Sequence, residues 1–115
     1  MIGQTAHVNE MIRGGSLPEE LKNGALAASA IEWFDIQARL PRMKIFFPLD
    51  SIEIVNNSAQ NIVLYLNAIT DPYTIPAYMV KPITGKAFNR FGIKNDGTVA
   101  IAAGEIIIHI KRLPS

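Results

Sequence analysis

The chain contains no cysteine, and this absence excludes disulfide bonds, thiolate metal sites and cysteine nucleophiles. It also has no apolar run that approaches the ~20 residues needed to span a lipid bilayer. Residues 1–15 lack a basic start followed by an apolar stretch, so they do not predict a signal peptide. We therefore expect a protein that acts in the cytoplasm or is carried elsewhere inside an assembly.

Charged residues are scarce as well. Asp, Glu, Lys and Arg make up 18% of the 115 residues, whereas 49% are hydrophobic. A single domain of this length with so few charges commonly covers part of its apolar surface with a partner, so we expect a homo-oligomer or a subunit of a larger assembly. The formal net charge of +1 is too small to indicate nucleic acid or an anionic membrane as the partner.

The C-terminal stretch, residues 91–112, carries the strongest structural signal. Asn95-Asp96-Gly97 lies between two apolar runs, which is typical of a β-hairpin turn. Beyond it, Ile106, Ile108 and Ile110 alternate with more polar residues and therefore share one face of a strand. The pattern predicts a core strand at the C-terminus.

Most of the remaining chain also has the pattern of short strands separated by Pro, Gly and Asn. We predict strands over residues 31–40, 44–47, 51–55, 61–67 and 86–94. The sequence from Ser16 to Lys22 instead has a helix-capping pattern, so residues 1–30 are interpreted as an N-terminal arm or short helix. The predicted fold is mainly β, an antiparallel β-sandwich or barrel over residues 31–115.

Two stretches resemble the small β-sandwich, jelly-roll subunits of virus and phage particles. They are residues 51–67, SIEIVNNSAQNIVLYLN, and residues 95–112, NDGTVAIAAGEIIIHIKR. The resemblance implies a jelly-roll-like sandwich with an N-terminal arm, a structural or accessory role in a capsid and a location in the virion. It implies no catalytic residue.

The residues that usually carry chemistry are dispersed. The two histidines, His7 and His109, are far apart and have no second histidine at metal-ligand spacing. The ten acidic residues are scattered, and no Gly-x-Ser-x-Gly motif is present. We therefore expect no catalytic, metal or cofactor site and interpret the protein as a non-enzyme.

The best candidate for an interaction face is the run from Lys86 to Lys94. If these residues form one strand, Lys86, Phe88, Arg90, Gly92 and Lys94 share a face on which cations alternate with an aromatic ring. Such a face can hold single-stranded nucleic acid or form the rim of a protein contact. The simpler interpretation, which we favour, is a solvated strand face with Phe88 packed against a neighbour.

Aromatic residues supply two further candidates. Trp33 and Phe34 form the densest aromatic pair and are expected in the core or in an interface. Exposed Tyr65, Tyr73 or Tyr78 could serve a carbohydrate- or ligand-binding sandwich, the least favoured hypothesis. The preferred function is a structural subunit acting through protein–protein contacts, and the alternative is a β-barrel module that binds single-stranded nucleic acid.

Overall fold

Eight strands dominate the computed structural model, which describes residues 18–114. They are β1 (Glu19–Lys22), β2 (Ile31–Asp35), β3 (Leu49–Asn56), β4 (Ile62–Leu66), β5 (Pro72–Ile75), β6 (Val80–Phe88), β7 (Arg90–Asn95) and β8 (Ile106–Lys111). A short helix, α1 (Ile36–Arg39), and a 3-10 helix (Pro41–Phe46) connect β2 to β3. Among the described residues, no helix is both long and apolar enough to cross a membrane.

The strands form two antiparallel four-stranded sheets. The first sheet has the order β1-β8-β3-β6 and the second has the order β2-β7-β4-β5. The pairs are therefore β1 with β8, β2 with β7, β3 with β6 and β4 with β5. Successive pairs alternate between the first and the second sheet. This is the jelly-roll arrangement of a β-sandwich. The predicted mainly β, antiparallel sandwich is confirmed.

The core lies between the two sheets and is built by period-two alternation. Ile106, Ile108 and Ile110 of β8 are fully buried, as their spacing predicts. The inward positions of β3 and β4 are buried in the same way, and they too match the predicted faces; these residues are Ile52, Ile54, Ile62, Leu64 and Leu66. Each sheet contributes one apolar face, which explains why the sandwich needs both sheets to exclude water.

The predicted hairpin around Asn95-Asp96-Gly97 is wrong. β7 ends at Asn95 in the second sheet, whereas β8 begins at Ile106 in the first, so residues 96–105 form a crossing loop. The buried Asn95 side chain accepts a hydrogen bond from the Gly97 backbone N–H at 2.9 Å and donates to two further loop carbonyls. The turn chemistry is present, but it starts a long connection instead of joining two paired strands.

Two predicted strands before β3, residues 31–40 and 44–47, are partly helical. The strand from Ile31 stops at Asp35, whose carboxylate accepts a hydrogen bond from the Ala38 N–H and caps α1. Pro41 then stands at the first position of the 3-10 helix, which contains residues 44–46 of the predicted strand 44–47 and ends before Phe47. A capping Asp and a proline at a helix start override the β propensity of the surrounding residues.

The short helix predicted near the N-terminus is a strand in the structure. Glu19–Lys22 is strand β1, not a helix, and it pairs with β8 along its whole length. Pairing places Leu21 against the core, a tertiary contact that outweighs the local capping pattern. Residues 19–22 thus belong to the sandwich. Residues 23–30 of the predicted arm form the connection from β1 to β2, where Leu26 is buried in the core and forms an isolated bridge with Ile101. Residues 1–17 lie outside the described part of the chain.

Three buried asparagines hold the loops together at one end of the sandwich. Asn23, Asn56 and Asn95 are almost completely buried, and each side chain bonds to backbone groups of neighbouring loops. Asn23, for example, donates to the Ala102 carbonyl at 3.1 Å and accepts from the Ile106 N–H at 2.9 Å. These amides satisfy backbone groups that the strands leave without partners where they end.

Candidate interaction face on the second sheet

The structure separates the five residues predicted to share an interaction face. β6 ends at Phe88 in the first sheet and β7 begins at Arg90 in the second, so the expected strand 86–94 is two strands. Phe88 is 1% exposed and packs edge-on against Phe91 in the core. Period-two alternation applies only within one strand, and the crossing at Asn89 breaks it. Phe88 therefore cannot stack on a nucleic-acid base.

Lys86 is also separated from the other cations. Its ammonium group lies 2.7 Å from the Asp71 carboxylate. The hydrogen bond between them raises the pKa of Lys86 above its usual value. Lys86 thus has an intramolecular partner at the edge of the first sheet.

Arg90 and Lys94, by contrast, lie on the outer face of the second sheet together with Trp33. In the strand register, Trp33 of β2 and Tyr65 of β4 both stand opposite Gly92 of β7. Lys94 and Arg90 flank Gly92 on the same side of β7. We call the surface formed by Trp33, Tyr65, Arg90, Gly92 and Lys94 the Trp33 face. Its members come from three adjacent strands.

The predicted aromatic pair, Trp33 and Phe34, is divided between the two sides of the second sheet. Phe34 points inward, is fully buried and stacks on Phe91 with ring centroids 4.7 Å apart. Trp33 points outward and is partly exposed. Phe34 therefore belongs to the core, and Trp33 is the member available for a contact.

Gly92 allows the Trp33 ring to lie close to the sheet. A Cβ atom at residue 92 would be only 2.8 Å from the ring, so any side chain there would push the ring away. On the same face, the Tyr65 ring stacks against Trp33 with centroids 6.3 Å apart and an interplanar angle of 29°. A glycine inside a strand indicates such a close approach, and this was the sequence signal that could have identified the Trp33–Tyr65 pair.

Arg90 completes the face and is held by two separate contacts. Its guanidinium carbon lies 4.3 Å from the Trp33 ring centroid, in a cation–π arrangement. Its Nε donates a hydrogen bond to the Asn67 carbonyl at 2.9 Å, and the Asn67 N–H donates back to the Arg90 carbonyl at the same distance. The arginine is exposed, yet its guanidinium is fixed in position.

The remaining tyrosines do not join Tyr65. Tyr73 faces the core and packs against it, whereas Tyr78 is 71% exposed in the loop before β6. The three tyrosines that a ligand-binding sandwich would use are therefore dispersed. No shared aromatic ligand site results from them.

His109 lies on the outer face of the first sheet, in a shallow groove of about 500 Å³. Its Nε2 is 3.4 Å from the Glu20 carboxylate, and its Nδ1 is 3.6 Å from the Glu53 carboxylate. Because each nitrogen faces a different carboxylate, the imidazole bridges strands β1, β8 and β3. Within residues 18–114 no group of three or more His, Cys, Asp or Glu side chains could hold a metal ion. His7 lies outside the described residues.

A Gly92→Ala substitution tests the packing of the Trp33 face. The added Cβ forces the Trp33 ring outward, so we expect a loss of about 1–3 kcal/mol in the free energy of unfolding and a shift in tryptophan emission. Denaturant unfolding followed by fluorescence measures both quantities. Gly24→Ala is the matched control, since its Cβ would meet no atom closer than 3.7 Å. Wild-type stability and emission in Gly92→Ala would contradict the close packing.

The fold and this face together define the class of protein: a jelly-roll β-sandwich that presents a fixed tryptophan–tyrosine–arginine surface to solvent. Comparison of the chain with models of known protein families, and with curated protein sequences, gave no match.

Proposed function

We propose that this protein is a non-enzymatic structural subunit that acts through protein–protein contacts made by the Trp33 face. The observation that carries the proposal is the fixed Trp33–Arg90 pair beside Tyr65 on an open sheet surface. Trp, Tyr and Arg are the residue types that dominate the energy of protein interfaces. Because Arg90 is already immobilised, a partner that binds it loses less conformational entropy on binding.

The proposed assembly is a virion, with the chain as a capsid or capsid-accessory protein. Two observations support this choice: the resemblance of residues 51–67 and 95–112 to virion subunits, and the jelly-roll strand order, which many viral capsid domains share. The protein would be made in the cytoplasm and carried in the particle.

We also propose that several copies of the chain occur in one assembly. Large apolar side chains are exposed at the end of the sandwich where the buried asparagines lie. Tyr78 and Met79 are in the loop after β5, Val80 begins β6, and Val99 is in the loop after β7. Each is more than half exposed, and this is unusual for a group of large apolar residues. Contacts between copies at this end would cover them and leave the Trp33 face free.

The alternative function, binding of single-stranded nucleic acid, loses its proposed site. It required Lys86, Phe88, Arg90 and Lys94 on one strand face, and the structure places them on two sheets with Phe88 in the core. The protein-contact proposal uses residues that do lie together, and it is the one we retain.

Sedimentation of an extract from the natural source tests the proposed function. We expect the protein to sediment with a particle far heavier than its own 12.6 kDa. Trp33→Ser should weaken its retention about 30-fold, the effect of losing one interface residue worth about 2 kcal/mol. Ile45→Ser, at an exposed apolar position outside the Trp33 face, is the control. Recovery of the wild-type chain only as free protein would contradict the proposal.

A further inference from the structure

Arg90 is held on one side only. Its Nε donates to the Asn67 carbonyl and its guanidinium carbon lies over the Trp33 ring, but its two terminal nitrogens have no hydrogen-bond or ion-pair partner within residues 18–114. A fixed guanidinium with free terminal nitrogens presents two parallel N–H donors. That geometry matches the two oxygens of a carboxylate.

The guanidinium groups of two other arginines each have a carboxylate partner within the chain. Arg39 lies over the Phe34 ring at 4.2 Å, and its Nη2 pairs with the Glu32 carboxylate at 3.2 Å. Arg42 forms a two-bond fork with Glu19, at 2.8 and 2.7 Å. Arg90 has the same aromatic stacking as Arg39 but lacks the carboxylate.

Within residues 18–114, the carboxylate that stands opposite Arg90 does not fill this role. Asp35 stands opposite Arg90 in the strand register, yet its carboxylate accepts a hydrogen bond from the Ala38 N–H at the start of α1 and makes no ion pair with Arg90. No carboxylate within residues 18–114 pairs with the Arg90 fork, which leaves it available to an acceptor from another molecule.

We infer that the Trp33 face binds an acidic segment of a partner protein, with a partner carboxylate on the terminal nitrogens of Arg90. This inference rests on the proposed function and names the chemistry of its partner. Lys94, on the same face, adds a second positive charge that favours acidic neighbours along the segment. Ile31, which stands opposite Lys94 and is 38% exposed, gives the segment an apolar surface beside the cations.

The surroundings favour a protein carboxylate over an acidic sugar or a second copy of the chain. A sugar would need a free ring face for stacking, whereas the guanidinium already lies over the Trp33 ring. Two copies meeting through this face would oppose their own cations, because Asp35 is the one carboxylate among the outward strand residues and Arg90 and Lys94 are both positive. An acidic segment of a different protein meets neither objection.

Fluorescence titration provides the test, because Trp33 is the only tryptophan of the chain and lies under the guanidinium. The probe is a hexaglutamate peptide, and a hexaglutamine peptide is its uncharged counterpart. We expect hexaglutamate to change the emission of the full chain with saturation, and hexaglutamine to leave it unchanged. Arg90→Gln should weaken the response about tenfold or more, since a charge-assisted hydrogen-bond pair is lost.

Arg39→Gln is the matched control, because Arg39 also stacks on a ring but already has its carboxylate; its titration curve should coincide with that of the wild type. No saturable response to hexaglutamate, or an equal loss in Arg39→Gln, would overturn the inference. So would a stronger response to a glucuronic acid oligomer, or a dimer that Arg90→Gln dissociates.

The two proposals fail in distinguishable ways. If Trp33→Ser releases the protein from its particle while Arg90→Gln neither releases it nor alters the peptide response, the proposed function stands and the carboxylate inference falls. If the chain never sediments with a particle but still binds hexaglutamate through Arg90, the carboxylate inference stands and the proposed function falls.

Discussion

Phe91→Ala is expected to lower the free energy of unfolding by about 3–5 kcal/mol, the largest effect of any single substitution proposed for this chain. Phe91 is fully buried on β7, the strand that pairs with both β2 and β4. Its ring stacks on Phe34 at 4.7 Å and meets the edge of Phe88 at 6.4 Å, so it joins an aromatic residue of each sheet. Truncation leaves a cavity that β7, fixed by hydrogen bonds to β2 on one side and β4 on the other, cannot close by moving inward.

Urea unfolding followed by circular dichroism measures this effect. Ile69→Ala is the control, because Ile69 is 62% exposed and its truncation should change stability by no more than about 0.5 kcal/mol. A loss below about 1 kcal/mol for Phe91→Ala would mean that the aromatic cluster does not hold the two sheets together.

Asn56→Ala is expected to have the second-largest effect, lowering the free energy of unfolding by about 2–3 kcal/mol. Asn56 is fully buried where β3 ends. Its Nδ2 donates to the Gln60 carbonyl at 2.8 Å and to the Pro76 carbonyl at 3.1 Å. Its Oδ1 accepts from the backbone N–H and the hydroxyl of Ser58, at 3.0 and 2.7 Å. Alanine leaves the buried Ser58 N–H without its acceptor, and the cost of such an unpaired group exceeds the value of a single exposed hydrogen bond.

The neighbouring residue supplies the matched control. Asn57 is exposed, and its side chain makes no hydrogen bond to the described residues, so Asn57→Ala should change stability by about 0.5 kcal/mol or less. Hydrogen exchange adds a local measurement: in Asn56→Ala, the Ser58 and Tyr78 amides should exchange faster than in the wild type, because Tyr78 donates to the Ser58 carbonyl. Equal stability of the Asn56→Ala and Asn57→Ala variants would contradict the role of the buried amide.

The sequence predicts much of the sandwich because alternation within a strand is a local property. Spacing alone predicts the shared faces of five isoleucines that are all buried in the structure: Ile52, Ile54, Ile106, Ile108 and Ile110. Pairing is not local: Leu21 stands opposite Ile108, and the two residues are almost the full length of the described chain apart. The capping pattern near β1 and the turn residues near Asn95 are local signals, and the non-local pairing overrode both.

In the candidate site too, local sequence patterns identify single residues, whereas non-local strand pairing decides which of them lie together. The sequence pattern singles out Trp33, Arg90 and Lys94, but it assigns them to two different groups. The grouping of Arg90 with Phe88 assumed one continuous strand, and the crossing at Asn89 sends the two residues to opposite sheets. The stacking of Tyr65 on Trp33 depends on the register of β2, β7 and β4, which no spacing within a single strand reveals.

Oxidative footprinting of the assembled particle tests the central claim most directly, because it reports which side chains a partner covers. We predict that Trp33 and Tyr65 are protected from oxidation in the particle relative to the isolated chain. His109, on the outer face of the opposite sheet, serves as the internal reference and should be oxidised equally in both states. Unchanged oxidation of Trp33 and Tyr65, with protection confined to the first sheet, would contradict the claim that this protein binds its partners through the Trp33 face.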